Sequence, residues 1–250
     1  MEVEIISIGF DGPNRVGKGT QCALMQRCLA KHGIPALIIR GDGSRTGTGD
    51  SPGNPESAWW RAVNQWLHHP KTSGKYWNVT SYRLARELVV WRDRILPNLV
   101  KTSPKKVGVL LIDRSLLSRT MVLRAMKVQD IANNLYPAEA RLRGRKITPE
   151  LVCPDLILNL TAPKHILLAR LNPHDPKYEF RKRLIAGSCD WFKTAPDHIP
   201  HYLRSRVIDV DASRDPNLVF NDSLAILLAR FDGLRGLTLS EQPLNCCALV

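Results

Sequence analysis

The sequence predicts an α/β fold of three layers, in which a five-stranded parallel sheet carries helices on both faces. Two observations support this prediction. Apolar runs of strand length recur along the 250-residue chain, and stretches with the apolar spacing of a helix lie between them. Strands that alternate with helices pair in parallel, and both faces of the resulting sheet are covered. The predicted strands span residues 3–8, 35–39, 107–112, 155–160 and 207–210.

The predicted helices fill the intervals between these strands and follow the last one. The interval between the second and third strands holds one predicted helix at 57–68 and another at 80–96. We expect Pro97 to end the latter, because proline removes a helical hydrogen bond. The other predicted helices span 22–29, 115–134, 163–171 and 217–231.

The composition fits one large domain in a reducing compartment. With 44% hydrophobic residues the chain can build a single core, so we predict one domain over 1–235 and a tail over 236–250. The six cysteines show no metal-ligand spacing, and the N-terminus does not resemble a signal peptide. No apolar run is long enough to span a membrane. These features predict a cytoplasmic protein without a membrane partner.

The formal net charge of +13 has two explanations. A cleft that handles several phosphate groups is basic, and so is a surface that binds nucleic acid. The arginines are spread along the chain, and the densest basic clusters, at 141–146 and 177–183, are short. A phosphate-handling cleft is therefore favoured, and nucleic acid is not an expected partner.

A glycine-rich turn joins the first predicted strand to the first predicted helix at residues 9–21. Gly12 and Gly17 let the backbone amides curl around an anion, and the helix that follows adds its positive end. Lys18 can then reach the outer phosphates of a nucleoside triphosphate. This context is that of a P-loop and places the fold with the P-loop NTPases. The predicted ATP-binding residues in the loop are Gly12, Asn14, Arg15, Val16, Gly17, Lys18, Gly19 and Thr20.

Polar residues follow the predicted strands at their carboxyl ends, which meet at one edge of a parallel sheet. Asp113 is placed there to hold Mg²⁺ directly or through water, and Thr20 is a second candidate metal ligand. Arg114 can grip an acceptor phosphate with two hydrogen bonds. Lys18 supplies charge for phosphoryl transfer, and Arg15 either leans over the transferred phosphate or is a solvated loop arginine.

Asp11 lies just before the loop and is a further candidate catalytic residue. Its carboxylate can accept a proton from a substrate hydroxyl, or it can bind a sugar hydroxyl. The alternative is a turn residue that is hydrogen-bonded to its own backbone, as aspartates commonly are.

The basic segment at about 170–185 lies between two predicted helices. Prolines interrupt this segment, and a polar segment of this kind suits a lid that closes over phosphates. A solvated helix face is the alternative for its arginines.

These residues resemble those of the thymidylate kinase family, a group of P-loop nucleoside monophosphate kinases. On the long predicted helix, Arg86 is the nearest match to the family's phosphate-binding arginine, with Arg83 as the reserve. The resemblance covers most of residues 3–230 in the right order. The similar segments are Phe10-Asp11-Gly12 with Gly17-Lys18, Arg15, Arg40, Ile112-Asp113-Arg114-Ser115, 154–158, 168–171, 178–183 and 211–213.

The resemblance implies transfer of the γ-phosphate of ATP to a nucleoside monophosphate, with Mg²⁺ and in a homodimer. It implies that Arg170 and Ser213 lie on the ATP side of the site. On the acceptor side it implies Arg40, Arg86 and Arg114, beside Asp11. By the same comparison, residues 41–78 form an insertion.

Several residues depart from the family pattern. Gly19 stands where most P-loops carry a metal-binding Ser or Thr, and Thr20 comes one place later. Asn14 replaces an aspartate that contacts the deoxyribose, and Ser115 replaces a tyrosine. Residues 121–124 replace a stretch that lines the base pocket. The base that would be phosphorylated is therefore left open.

Two other functions also remain open. In a deoxynucleoside kinase, Asp11 would activate a sugar 5′-hydroxyl, whereas the arginines of the acceptor side favour an acceptor that already carries phosphate. A nucleotide-binding regulatory protein with little turnover would explain Asn14 and Gly19, but Lys18 and Asp113 are retained.

Overall fold

The computed structural model describes residues 3–40, 92, 95–125, 141–142, 145–146, 153–176, 178–235 and 237. Five of its strands form one parallel sheet, and two strands of two residues each form a separate antiparallel pair. The five strands of the sheet are β1 (Glu4–Asp11), β2 (Ala36–Arg40), β3 (Val107–Asp113), β6 (Leu156–Thr161) and β7 (Val207–Asp211), and the pair is β4 (Arg141–Leu142) with β5 (Arg145–Lys146).

Helices lie between and after these strands in the described part of the chain. The α-helices are α1 (Lys18–Lys31), α2 (Leu96–Lys101), α3 (Leu116–Ala125), α4 (Lys164–Ala169), α5 (Tyr178–Lys193) and α6 (Pro216–Arg230). Short 3₁₀ helices span Ala195–His198, His201–Arg206 and Asp232–Leu234. None of the helices described is long and apolar enough to cross a lipid bilayer.

Strand β1 lies at the centre of the sheet, whose order is β2-β3-β1-β6-β7. Its register with β3 runs from Glu4 opposite Val107 to Phe10 opposite Asp113. With β6, the pairing ends at Asp11 opposite Asn159. The carboxyl ends of the three central strands therefore lie side by side, at the edge where β1 enters the loop before α1.

Apolar side chains cover both faces of the sheet, as expected for a parallel sheet between helices. Every residue of β3 is buried. On one face, alternate residues of the strands pack with α1 and α6 in a large cluster that includes Ile8, Phe10 and Leu111. On the other face, Ile112 and further strand residues pack with α2 and α3. The architecture is the predicted three-layer P-loop NTPase fold, and this prediction is confirmed.

All five predicted strands are present in the sheet, and each extends past its predicted carboxyl end. The additional residues include Arg40, Asp113, Thr161 and Asp211. Their side chains are polar, but the ladder is built from backbone N–H and C=O groups. Because apolar runs were used to find the strands, their polar last residues were missed.

One predicted boundary is wrong, and one helix was not predicted. Pro97 does not end a helix but lies in the first turn of α2, where its missing N–H has no helical partner to lose. Helix α5 has no counterpart among the predicted helices and includes the second half of the segment at 170–185. The role of that segment as a lid stays a prediction. The predicted helix at 57–68, most of that at 80–96 and the end of that at 115–134 lie outside the described residues.

Candidate nucleotide-binding site

The loop between β1 and α1 requires glycine at its first position. Gly12 has a φ of 136°, which L side chains rarely adopt. A Cβ atom there would lie 2.2 Å from the carbonyl oxygen of Leu160 and 3.0 Å from a methyl group of Val16, which is itself buried. The backbone of β6 therefore lies directly against the loop at Gly12, and only a residue without a side chain fits at this position.

Helix α1 opens toward this loop and carries no acidic residue in its first turn. Its N-cap is Gly17, whose φ is 106° and which has no side chain that could cap the first N–H groups of the helix. Such N–H groups and the helix dipole favour an anion at this end of the helix. Gly19 and Thr20 also lie in the first turn, and Thr20 is exposed.

The Lys18 side chain is folded back over the loop. It is 5% exposed, and its Nζ donates hydrogen bonds to the carbonyl oxygens of Gly12 at 2.8 Å and Pro13 at 2.7 Å. These contacts hold a positive charge within the turn. An anion that enters the loop therefore meets an ammonium group that is already positioned.

Arg15 also has a positive φ, 66°, and lies at the tip of the loop. Its Nη2 is 3.5 Å from a carboxylate oxygen of Asp175, which also lies 3.1 Å from Nη1 of Arg181. Asp175 belongs to the turn between α4 and α5, and Arg181 belongs to α5. One carboxylate thus joins the loop to the basic segment that was predicted as a lid.

Arg114 follows β3 and has a φ of 75°. Its backbone N–H donates to the carbonyl oxygen of Phe10 at 3.0 Å, which ties the turn to β1. Its Nη2 donates to Oδ1 of Asn14 at 2.7 Å. The predicted acceptor-side arginine and the predicted ATP loop are therefore in direct contact, through the side-chain amide of Asn14.

Asp113 ends β3 and is 5% exposed. Its Oδ1 is buried and has no hydrogen-bond partner among the described residues. A buried carboxylate oxygen without a partner is costly, and a cation at this position would remove the cost. Asp113 therefore fits a site for Mg²⁺, which uses one or two carboxylates with phosphate oxygens and water. Within the described ranges no group of three or more His, Cys, Asp or Glu forms a separate metal cluster.

Arg170 connects the loop to the residues after β7. Its Nη2 donates to the carbonyl oxygens of Ala212 at 2.9 Å and Ser213 at 3.3 Å, and its Nη1 lies 3.5 Å from the carbonyl oxygen of Arg15. Hydrogen bonds from the side chain and backbone of Ser213 lower the pKa of Asp211. The two predicted ATP-side residues, Arg170 and Ser213, are thus in contact with each other, and Arg170 also contacts the P-loop.

Asp11 is fully buried, and its carboxylate contacts the start of α3 rather than its own turn. Oδ1 accepts from Ser115 N at 2.8 Å, Ser118 N at 3.2 Å and Ser118 Oγ at 2.6 Å. Oδ2 accepts from Ser115 Oγ and from Leu117 N at 3.1 Å. The alternative of a turn aspartate bonded to its own backbone does not describe these contacts.

Two predicted substrate-binding residues are not located by this geometry. Arg40 ends β2 opposite Asp113 in the register, but its side chain is outside the described part. Arg86 lies wholly outside the described residues.

Sequence reasoning missed two residues of the site, Asp175 and Ser118. Asp175 is an acidic residue inside a basic segment, and that reversal of sign was the available signal. Ser118 gave none, because the contact between α3 and β1 joins residues more than 100 positions apart.

Comparison with known proteins identifies the fold. No protein-family model matches the sequence, and a comparison with curated proteins finds no match either. Among solved structures, a thymidylate kinase from Candida albicans is similar, with a TM-score of 0.53 and 14% identity over 94% of this chain and 95% of that one. A thymidylate kinase from Ehrlichia chaffeensis gives a TM-score of 0.47 and 14% identity over 90% of this chain and 99% of that one. The described part of the chain therefore has the fold of the Candida thymidylate kinase.

Proposed function

We propose that this protein is a divergent thymidylate kinase-like enzyme that transfers the γ-phosphate of ATP to a (deoxy)nucleoside monophosphate. The observation that carries the proposal is the contact between the P-loop and the turn after β3, made by Arg114 and Asn14. Donor-side and acceptor-side groups meet there at the sheet edge where α/β proteins bind ligands.

The residues of the site would act by charge and position. Lys18 would bind the outer phosphates of ATP, and Arg15 would contact the migrating phosphoryl group once it exchanges Asp175 for phosphate. Arg114 would hold the phosphate of the acceptor. Phosphoryl transfer needs little covalent help from the protein, so three cations at one edge of the sheet can supply much of the catalysis.

Asp113 and Thr20 would hold Mg²⁺, which neutralises charge on the phosphates when bound. Arg170 and Ser213 would lie beside the nucleoside of ATP, since they flank the loop on the side of β7.

We also propose that the enzyme is a homodimer and works in the cytoplasm, as the resemblance and the composition imply.

A substrate panel tests the proposal. The protein is incubated with ATP, Mg²⁺ and each nucleoside monophosphate in turn, and separately with nucleosides, and ADP is measured. We expect ADP only with monophosphates, and a preference for dTMP would extend the resemblance to the substrate. Response to nucleosides alone would instead indicate a deoxynucleoside kinase, and no affinity for ATP would reject a kinase altogether.

Lys18→Ala is the decisive variant. We expect a loss of about 10²-fold or more in kcat, because a fixed positive group at the phosphates is removed. Lys31→Ala is the matched control, since Lys31 is an exposed lysine in the last turn of the same helix. Equal activity of the two variants would contradict the proposed role of the loop.

A further inference from the structure

Five hydrogen-bond donors at the start of α3 bind the buried carboxylate of Asp11. Asp11 is 0% exposed and accepts hydrogen bonds from the backbone N–H groups of Ser115, Leu117 and Ser118, and from both serine hydroxyls. The first N–H groups of a helix have no helical partner, so a carboxylate there satisfies them and also suits the helix dipole. Asp11 is therefore the cap of α3, although it lies on β1.

Gly9 of β1 leaves space for the contact between Asp11 and Ser115. A Cβ atom at Gly9 would lie 2.2 Å from Oγ of Ser115. The absence of a side chain at Gly9 thus makes room for the serine that bonds Asp11.

The capped helix start is joined directly to Arg114. The backbone of Arg114 is held in the left-handed region, with its N–H bonded to Phe10 O at 3.0 Å. The next residue, Ser115, is bonded to Asp11 through both N–H and Oγ. A left-handed arginine costs free energy and persists only where its surroundings fix it. Here the bonds to Phe10 and Asp11 fix it from both sides.

We propose that Asp11 is a positioning residue, which acts through the Asp113–Ser115 turn to aim Arg114 at the acceptor phosphate, rather than a proton acceptor. This inference rests on the proposed function and assigns the role of one residue within it. Both oxygens of Asp11 point to donors of α3, so neither is left facing a substrate hydroxyl. A tie of this kind fixes the backbone from which the Arg114 side chain extends toward Asn14, without touching the substrate.

A double-mutant cycle distinguishes a positioning role of Asp11 from a role as proton acceptor. Asp11→Asn, Arg114→Ala and the double variant are compared by kcat/KM for the nucleoside monophosphate. If Asp11 acts through Arg114, the first change lowers kcat/KM by about tenfold and adds nothing in the Arg114→Ala background, because coupled residues are not additive. Multiplication of the two losses would overturn the proposal.

Steady-state kinetics of Asp11→Asn give a second discrimination. We expect the acceptor KM to rise and the KM for ATP to stay unchanged, and kcat/KM to depend on low pH as it does in the wild type. If Asp11 were the proton acceptor, its replacement would instead remove the fall of kcat/KM at low pH and most of kcat, with little change in KM. Observation of that pattern would reject the positioning role.

Ser118→Ala keeps the test valid if Asp11→Asn does not fold. It removes one hydroxyl donor from Asp11 and leaves the carboxylate in place, so we expect a smaller rise in the acceptor KM, about twofold to threefold. Ser223→Ala is the matched control, because Ser223 is also a buried helical serine and its hydroxyl donates within α6, to Val219 O at 2.8 Å. Equal acceptor KM values for these two serine variants and the wild type would contradict the proposal.

Amide hydrogen exchange gives a readout that needs no activity. In Asp11→Asn, the amides of Leu117 and Ser118 should exchange about tenfold faster than in Ser223→Ala, because a neutral amide replaces the carboxylate that accepts from them. If the wild type phosphorylates no monophosphate, the proposed function fails. If exchange at these amides is unchanged in Asp11→Asn, the positioning role itself fails.

Discussion

Backbone strain at the residue scale is concentrated around the candidate site. Of the three described non-glycine residues with positive φ, Arg15 and Arg114 both belong to the site, and Lys106 precedes β3. Such conformations cost of order 1–3 kcal/mol each and are retained where surrounding contacts determine them. Arg15 is held beside Asp175, and Arg114 is held between two residues of β1.

Gly12→Ala should destabilise the fold and abolish ATP binding. The added methyl group would collide with Leu160 O at 2.2 Å in a backbone conformation with φ 136°, so we expect a loss of about 2–4 kcal/mol in unfolding free energy. Gly187→Ala is the control, because a Cβ atom there meets nothing within 4 Å and helix α5 favours alanine by about 0.5–1 kcal/mol. Chemical denaturation measures both changes, and equal stability of the two variants would contradict the account.

Asp211 should contribute stability that depends on pH. Its folded pKa is lowered, first by the Ser213 hydroxyl and then by the Ser213 amide, so the ionised form favours folding. The contribution is present above the unfolded carboxyl pKa and is lost as the pH falls through the lower folded pKa. Ser213→Ala should raise the pKa of Asp211 toward its ordinary value, as measured by carboxyl-carbon NMR titration. An unchanged titration would show that the hydroxyl is not the main cause.

At the scale of elements, helix termini set up the chemistry of the site. The start of α1 is left without acidic residues and faces the P-loop, whereas the start of α3 is already bonded to Asp11. Helices α1 and α3 both begin at the same edge of the sheet, but their N-termini differ. The N-terminus of α1 can bind an anion from outside the protein, whereas that of α3 already binds the carboxylate of Asp11.

Asp175, in the turn between α4 and α5, should compete with the phosphates of ATP for Arg15 and Arg181. Asp175→Asn removes the carboxylate that pairs with Arg15 and Arg181, so we expect a lower KM for ATP, by about twofold to fivefold at low salt. Glu179→Gln is the matched control, because it makes the same charge change in the first turn of α5 within an exposed pair with Lys182. A similar KM shift in both variants would indicate a general charge effect rather than release of Arg15.

At the scale of the whole molecule, ligand binding should stabilise the fold. If ATP binds the loop, a concentration 100 times its Kd adds about 2.7 kcal/mol, which corresponds to an increase of about 5–10 °C in Tm for a domain of this size. Lys31→Ala should show the same increase and Lys18→Ala a much smaller one. A thermal scan with and without ATP measures this, and an unchanged Tm in the wild type would reject nucleotide binding.

The sequence by itself determined the order of the five strands in the chain, the P-loop and the edge of the sheet at which the polar residues gather, but not helix α5. These are local properties, since apolar periodicity, glycine placement and strand ends are all read within short windows. It did not determine what Asp11 and Asp175 touch. The Asp11–Ser118 contact spans 107 positions and the Arg15–Asp175 pair spans 160, and only the packing of α3 and α5 on the sheet brings these side chains together. Such contacts depend on where elements dock, and docking is decided by the burial of whole faces rather than by any one residue's neighbours in the chain.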